Sequence, residues 1–253
     1  MDHKSKIILI AGPTASGKSN FALKIAKKIK GEVINADSMQ VYKELQVLTV
    51  RPTKKDQKKI KHHLYGFQNV KKKFSTGHWL KLANKKIIEI KKRKKVPILV
   101  GGTGLYFKAL TDGLVKIPEI PKNIRIKTRT LHNRIGQKKF FDQLIKLDPL
   151  AKDFVIPSDA QRSMRVYEVK KFTNISLFNL IKNTKSNFNN DVFKKIFINI
   201  SKDLLEKKIK NRIEDMFKEG AIEEVRSFYK MRVYKELSSN KIIGLSLDIF
   251  MKL

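Results

Sequence analysis

Gly12-Pro13-Thr14-Ala15-Ser16-Gly17-Lys18-Ser19 fits G-x-x-x-x-G-K-[ST] without a mismatch. That spacing grips linked phosphates. Gly12 and Gly17 let the backbone curl so that successive N–H groups point at phosphate oxygens. A helix starting at the same point adds about half a positive charge. Lys18 supplies a full charge, and Ser19 a hydroxyl for Mg²⁺. Such a cradle does not fix the reaction. NTP hydrolysis, phosphoryl transfer and any chemistry with a diphosphate leaving group all use one.

Two further stretches carry groups suited to the same crevice. Asp37-Ser38-Met39-Gln40 follows a short apolar run. A lone carboxylate there serves equally well to hold Mg²⁺ through water, to cap the next segment or to act as a general base. Gly101-Gly102-Thr103-Gly104 makes a second tight turn with a hydroxyl in it, for which a helix N-cap is the plain alternative.

The elements that must position these groups are legible as alternating apolar runs and amphipathic stretches. Ile7 to Ala11 and Glu32 to Ala36 read as buried strands, and Val96 to Val100 as a third. Between them, Ser19 to Ile29 and Trp79 to Arg93 carry apolar residues at helical spacing. This alternation predicts an α/β fold, a P-loop parallel-sheet domain wrapped by helices. Ligands then collect beyond the carboxyl ends of the strands, where Gly12 to Ser19, Asp37 and Gly101 to Gly104 all fall. From Leu114 the texture turns helical, with one helix expected over Asp159 to Phe172. Lys194 to Ile200 returns to strand texture, and helices follow over Lys202 to Phe217 and Ala221 to Tyr229. Residues 1–113 with 191–253 are therefore read as the P-loop domain and 114–190 as a helical insertion. The lysine clusters at 54–61 and 91–95 read as solvated faces or loops.

Composition bounds the partners. The chain has 253 residues, 41% of them hydrophobic, enough for a core. Its apolar runs are far too short for a bilayer span, and Met1 to Lys6 leads into a strand with no secretory signal pattern, so no membrane and a cytoplasmic location are expected. With no cysteine there is neither a disulfide framework nor a Cys-based zinc site. His62, His63 and His78 lack metal-ligand spacing and read as structural or exposed. The net charge of +33 favours a polyanionic partner and salt-sensitive binding. Only ten of the 56 basic residues are Arg, a bias that A/T-rich coding also yields, so charge alone does not establish nucleic-acid binding. Arg162 and Arg165 lie three apart on one predicted helix. They suit phosphate or base-edge recognition, or a surface ion pair with Glu168.

Taken together, GPTASGKS, INADSMQVYKEL, VLTVRPT, FSTGHW, PILVGGTGLYFKAL and DAQRSMRVYEV resemble the tRNA dimethylallyltransferase family, in order from about residue 6 to residue 230. The resemblance implies transfer of a dimethylallyl group from dimethylallyl diphosphate to N6 of the adenosine beside the anticodon of tRNA, with Mg²⁺ as cofactor. It implies that Gly12, Pro13, Thr14, Ala15, Ser16, Gly17, Lys18 and Ser19 hold the diphosphate. Asp37 would accept the proton from the adenine amine, and Thr103 would bond near the bridging oxygen, making Asp37, Thr103 and Lys18 the catalytic set. Asp37, Ser38, Met39, Gln40, Thr103, Arg125, Gln161, Arg162, Ser163, Met164 and Arg165 would hold the tRNA. Arg212 and Arg226 are loose candidates for the diphosphate.

Family members usually continue past the equivalent of Leu253 through a basic helical segment, which would add to the donor wall and to tRNA contacts. A monomer is expected. Two other readings stay open: a P-loop kinase of a nucleotide or small metabolite, and a non-catalytic tRNA binder. The first leaves the helical insertion without a purpose. The second has no need of Gly12, Lys18, Asp37 and Thr103 together.

Overall fold

A computed structural model describes residues 6–72 and 74–231. Five parallel strands form one sheet in the order β3-β2-β4-β1-β5, with β1 at Ile7–Ala11, β2 at Gly31–Asn35, β3 at His62–His63, β4 at Val96–Gly101 and β5 at Phe193–Phe197. Helices α1 (Lys18–Ile29), α2 (Lys54–Lys59), α3 (Thr76–Lys92) and α4 (Gly104–Asp112) connect the first four strands and leave β4. The chain leaves β1 towards β2 on one side and leaves β4 towards β5 on the other. The sheet therefore opens a crevice at the carboxyl ends of β1 and β4.

Period-two alternation assigns the two faces of the central strands. Ile7 and Leu9 of β1 pack with Ile34, Leu99 and the α3–α4 residues Trp79, Ala83, Ile87, Ile90, Tyr106 and Leu110. Ile8 and Ile10 face the other way, onto Val33, Ile98, Val100 and the small α1 residues Ala22 and Ala26. Alanines at one-turn spacing let α1 lie close to the sheet, which seats its N-terminus at the end of β1. At one edge, β5 exposes Lys194 and Lys195, charges that block further strand pairing. It is shorter than its texture predicts, ending at Phe197.

Two elements escape the sequence reading. The lysine cluster after Thr53 forms α2, closed by a capping box between Thr53 and Asp56, although it buries no residue. The strand β3 is two residues long, too short to show periodicity. Its His63 is instead part of a buried charge cluster. Glu32 of β2 is 1% exposed and accepts from His63 Nε2 at 2.7 Å and from Arg93 Nη2 at 2.7 Å, with Lys95 Nζ at 3.3 Å.

The chain divides into two compact units, residues 1–111 with 187–253, and 112–186. In the second, α5 (Lys122–Leu147) breaks at Gly136, whose φ of 75° leaves the helical region, and α6 (Ala160–Thr173) and α7 (Leu177–Lys182) follow. Phe141, Leu144, Ala151, Val155, Val166 and Phe178 make its core. The sheet unit closes with α8 (Lys202–Lys218) and α9 (Ala221–Lys230).

Candidate active site

The phosphate loop turns out of β1 as its spacing requires. Gly17 sits at φ 86° directly before α1, and Ala15 at φ 61° makes the other left-handed turn. A Cβ on Gly12 would meet Ser16 Oγ at 2.8 Å and the Ile198 carbonyl at 3.1 Å, so a side chain there would close the cradle. Ser16 Oγ is buried with no hydrogen-bond partner among the described residues. Lys18 Nζ donates to the Pro13 carbonyl at 3.0 Å. Burial lowers the Lys18 pKa, the Asp37 charge opposes that, and Arg212 adds to it.

Asp37 is held by the residue two before it. Asn35 is fully buried; its Oδ1 accepts the Asp37 N–H at 2.8 Å, and its Nδ2 donates to the Asp37 and Leu64 carbonyls at 2.9 and 3.0 Å. Trp79 locks the same turn by donating Nε1–H to the Asn35 carbonyl at 2.8 Å while stacking on Tyr106, centroids 4.2 Å apart. The Asp37 carboxylate spends Oδ1 on the Met39 N–H at 2.9 Å. Its Oδ2 faces the phosphate loop: a Cβ placed on Gly102 would lie 3.9 Å from Asp37 Oδ2 and 4.0 Å from Lys18 Nζ. Carboxylate and ammonium therefore border one small space. Thr103 Oγ1 accepts the Ser38 N–H at 2.9 Å and donates to Ser38 Oγ at 3.3 Å, tying the two turns together.

Lys18 and Asp37 line a cavity of about 510 Å³, whose lining does not include Gly12, Pro13, Ser38, Met39 or Thr103. Thr14 to Asn20, Asp37, Gln40 and Gly101 line one side, and Lys208, Asn211 and Arg212 of α8 another. Burial lowers the Arg212 pKa and the Asp37 charge counters it, so a second cation shares the field of the carboxylate. Tyr65 also lines the cavity, its phenol pushed up by burial and by Asp37. Arg226 is exposed on α9 and is not among the lining residues. Asn35 and Trp79 fall inside stretches that carry the family resemblance, INADSMQVYKEL and FSTGHW, but the sequence gives neither a role, and Tyr65 lies in no motif. Only their place in the fold marks them.

The remaining candidates lie in the second unit. Arg162 and Arg165 are 57% and 41% exposed, each tethered by an acid three positions away: Asp159 at 3.5 Å and Glu168 at 3.7 Å. Gln161 is exposed beside them and Met164 half-buried. Ser163 differs. It is fully buried, donating to the Asp159 carbonyl at 2.7 Å and accepting from Gln137 Nε2 at 3.2 Å, so its hydroxyl holds the helix in place. Arg125 is half-buried on α5. Among the described residues no group of three or more His, Asp or Glu is placed to hold a metal, and no helix is long and apolar enough to cross a membrane.

A family model described as IPP transferase matches residues 40–247. The tRNA dimethylallyltransferase of Pelagibacter ubique (strain HTCC1062) is 58% identical over 97% of this chain and 79% of its own length. That of Rickettsia massiliae (strain Mtu5) is 42% identical over 96% of this chain and 67% of its own. Among solved structures, a eukaryotic dimethylallyltransferase acting on tRNA superposes with a TM-score of 0.78 at 25% identity, covering 93% of this chain, which spans 58% of that enzyme. The tRNA isopentenylpyrophosphate transferase of Bacillus halodurans gives a TM-score of 0.59 at 30% identity over 94% of this chain and 74% of its own. With a phosphate cradle facing a carboxylate, and with relatives of this similarity along nearly its whole length, the chain belongs to the tRNA dimethylallyltransferase (IPP transferase) family.

Proposed function

We propose that this protein transfers a dimethylallyl group from dimethylallyl diphosphate to the exocyclic N6 of the adenosine adjacent to the anticodon of tRNA. The observation that carries the reading is the shared space between Asp37 Oδ2 and Lys18 Nζ beside Gly102, with family membership behind it. The adenine amine is a poor nucleophile because its lone pair is delocalised into the ring. As the new C–N bond forms, Asp37 takes the amine proton, a contribution of about 10²–10⁴-fold. The C–O bond of the donor breaks, and the departing diphosphate gathers negative charge. Lys18, the loop amides and Arg212 stabilise that charge most in the transition state. Thr103 holds the turn that carries Ser38, next to Asp37, and its place beside the crevice supports a contact near the bridging oxygen.

The Ser19 hydroxyl borders the cavity beside Lys18. A Mg²⁺ at this site would be held on the protein side by the Ser19 hydroxyl. When bound it supplies charge neutralisation to the leaving group. The target base must be drawn out of the anticodon stack to reach Asp37. Ser38, Met39 and Gln40 are proposed as its contacts near the cavity. Arg125, Gln161, Arg162 and Arg165, with Met164 beside them, are proposed as the tRNA grip of the 114–190 insertion, and buried Ser163 as the residue that seats α6 beneath it. The protein is proposed to act in the cytoplasm as a monomer.

The kinase reading is not favoured, since the relatives and solved neighbours are tRNA prenyl-transfer enzymes. Incubation with dimethylallyl diphosphate and unmodified tRNA is expected to give N6-dimethylallyl adenosine, seen by mass analysis of the nucleosides, and free diphosphate, seen by a separate diphosphate assay. Transfer of labelled phosphate from ATP to a small molecule, with unaltered tRNA, would establish the kinase instead.

A further inference from the structure

The stretch from Ser38 to Thr53 brings Gln40, Val50 and Arg51 to the cavity. Leu45 and Leu48, with Met39, Tyr42 and Val47 around them, pack on Met216 of α8 and on Ala221, Val225 and Phe228 of α9. Within this stretch Val50 sits at φ 48°, a left-handed conformation that a β-branched residue rarely adopts. Something must hold it there. Gln40 Nε2 donates to the Thr49 and Val50 carbonyls at 2.7 and 3.3 Å, and the Val50 N–H donates to the Val47 carbonyl at 2.9 Å.

Within the stretch, Thr49 Oγ1 also donates to the Leu45 carbonyl at 2.6 Å and Arg51 Nη2 to the Lys43 carbonyl at 3.0 Å, and a further restraint comes from α9. Glu224 accepts three successive backbone N–H groups with one carboxylate: Gln46 and Val47 on Oε1 at 2.6 and 2.9 Å, and Leu48 on Oε2 at 2.9 Å. An acid in the first turn of a helix ordinarily complements its own N-terminus. Here the carboxylate is spent on another segment, nearly 180 residues away in sequence. Consecutive N–H groups converging on one anion make a concave nest, and the bonds are charge-assisted.

Building on the prenyl-transfer reading, we infer that Glu224 is a positioning residue: it latches the 46–48 segment onto α9 so that Gln40, Val50 and Arg51 face the cavity in one fixed arrangement for the tRNA substrate. The phosphate loop does not depend on this contact. Substitution should therefore split the two substrates. In Glu224→Gln the amide nitrogen meets an N–H donor and the negative charge is lost. Glu224→Asp keeps the charge on a shorter arm.

The test is steady-state kinetics of the full chain for both substrates, together with limited trypsin digestion after Lys43, since Pro52 protects the bond after Arg51. Glu224→Gln is expected to raise the KM for tRNA about tenfold, leave the KM for dimethylallyl diphosphate unchanged, and speed cleavage after Lys43, with partial recovery in Glu224→Asp. Unchanged cleavage and unchanged KM values overturn the inference. So does a lowered melting midpoint with both KM values rising together, which marks a contact that only supports the fold. If the wild-type protein transfers no prenyl group, the parent reading fails, and the digestion still decides whether Glu224 holds the loop.

Discussion

Adding one methyl group at Gly101 tests whether the floor of the site is as tightly built as its geometry implies. A Cβ there would lie 2.0 Å from the Ala36 carbonyl oxygen, 2.1 Å from its carbon and 2.7 Å from the Asp37 nitrogen. All three are backbone atoms, and side-chain rotation cannot relieve them. Relief to the shortest tolerable contact of 3.0 Å moves the end of β2 by about 1 Å. The same carbonyl accepts the Thr103 N–H at 3.3 Å, so both walls of the site shift with it. A displacement of about 1 Å costs on the order of 10²-fold in rate, and overpacking about 1–3 kcal/mol in stability. Gly101→Ala should accordingly remain folded at reduced temperature but lose about 10²-fold in single-turnover prenyl transfer. Two controls frame the measurement. Gly104→Ala meets nothing within 4 Å and should behave as wild type. Gly102→Ala makes ordinary contacts at 3.7 to 4.0 Å, so it should fold normally while its methyl group crowds the space between Asp37 and Lys18 and raises the KM for the prenyl donor. Equal turnover in Gly101→Ala and Gly104→Ala would refute this reasoning.

Three other outcomes follow from the same structure. Glu32→Gln breaks a buried charge cluster and should destabilise the sheet unit by about 3 kcal/mol, read as a lowered midpoint in urea. Burial alone would raise the Glu32 pKa, but the hydrogen bonds from Arg93, His63 and Lys95 hold it down to about 2 against an ordinary 4.5. Its stabilisation is thus complete above pH 4.5 and lost as pH falls towards 2, a decline the glutamine variant should lack. Thr103→Val leaves the Ser38 N–H without its acceptor and should cost about 1–3 kcal/mol, seen as a lower melting temperature and a reduced kcat/KM. Affinity for tRNA should fall at least ~10-fold between low and physiological salt, given the charge of +33, and a flat salt response would remove the electrostatic account.

The sheet and the phosphate loop were legible because each rests on a local signal. Ile7 to Ala11 is an unbroken apolar run, and Gly12 to Ser19 has fixed spacing. Asp37 and Thr103 were legible as chemistry but ambiguous in role, since one carboxylate or hydroxyl fits several uses. What escaped depends on contacts distant in sequence. Asn35 orients Asp37 only because Trp79 and Leu64 converge on it. The His62–His63 strand exists only as the partner of β2, and Glu32 tolerates burial only because Arg93 and Lys95 arrive from the end of α3. Ser163 shares a helix with two exposed arginines, yet its packing against Gln137 is invisible in their spacing.

The proton-accepting role of Asp37 is tested most directly by Asp37→Asn, which keeps an oxygen for the Met39 N–H while removing the basic site. Single-turnover transfer should fall about 10²–10⁴-fold, with the Kd for tRNA nearly unchanged. Turnover at the wild-type rate would contradict the role, and the facing arrangement of carboxylate and phosphate cradle would need another explanation.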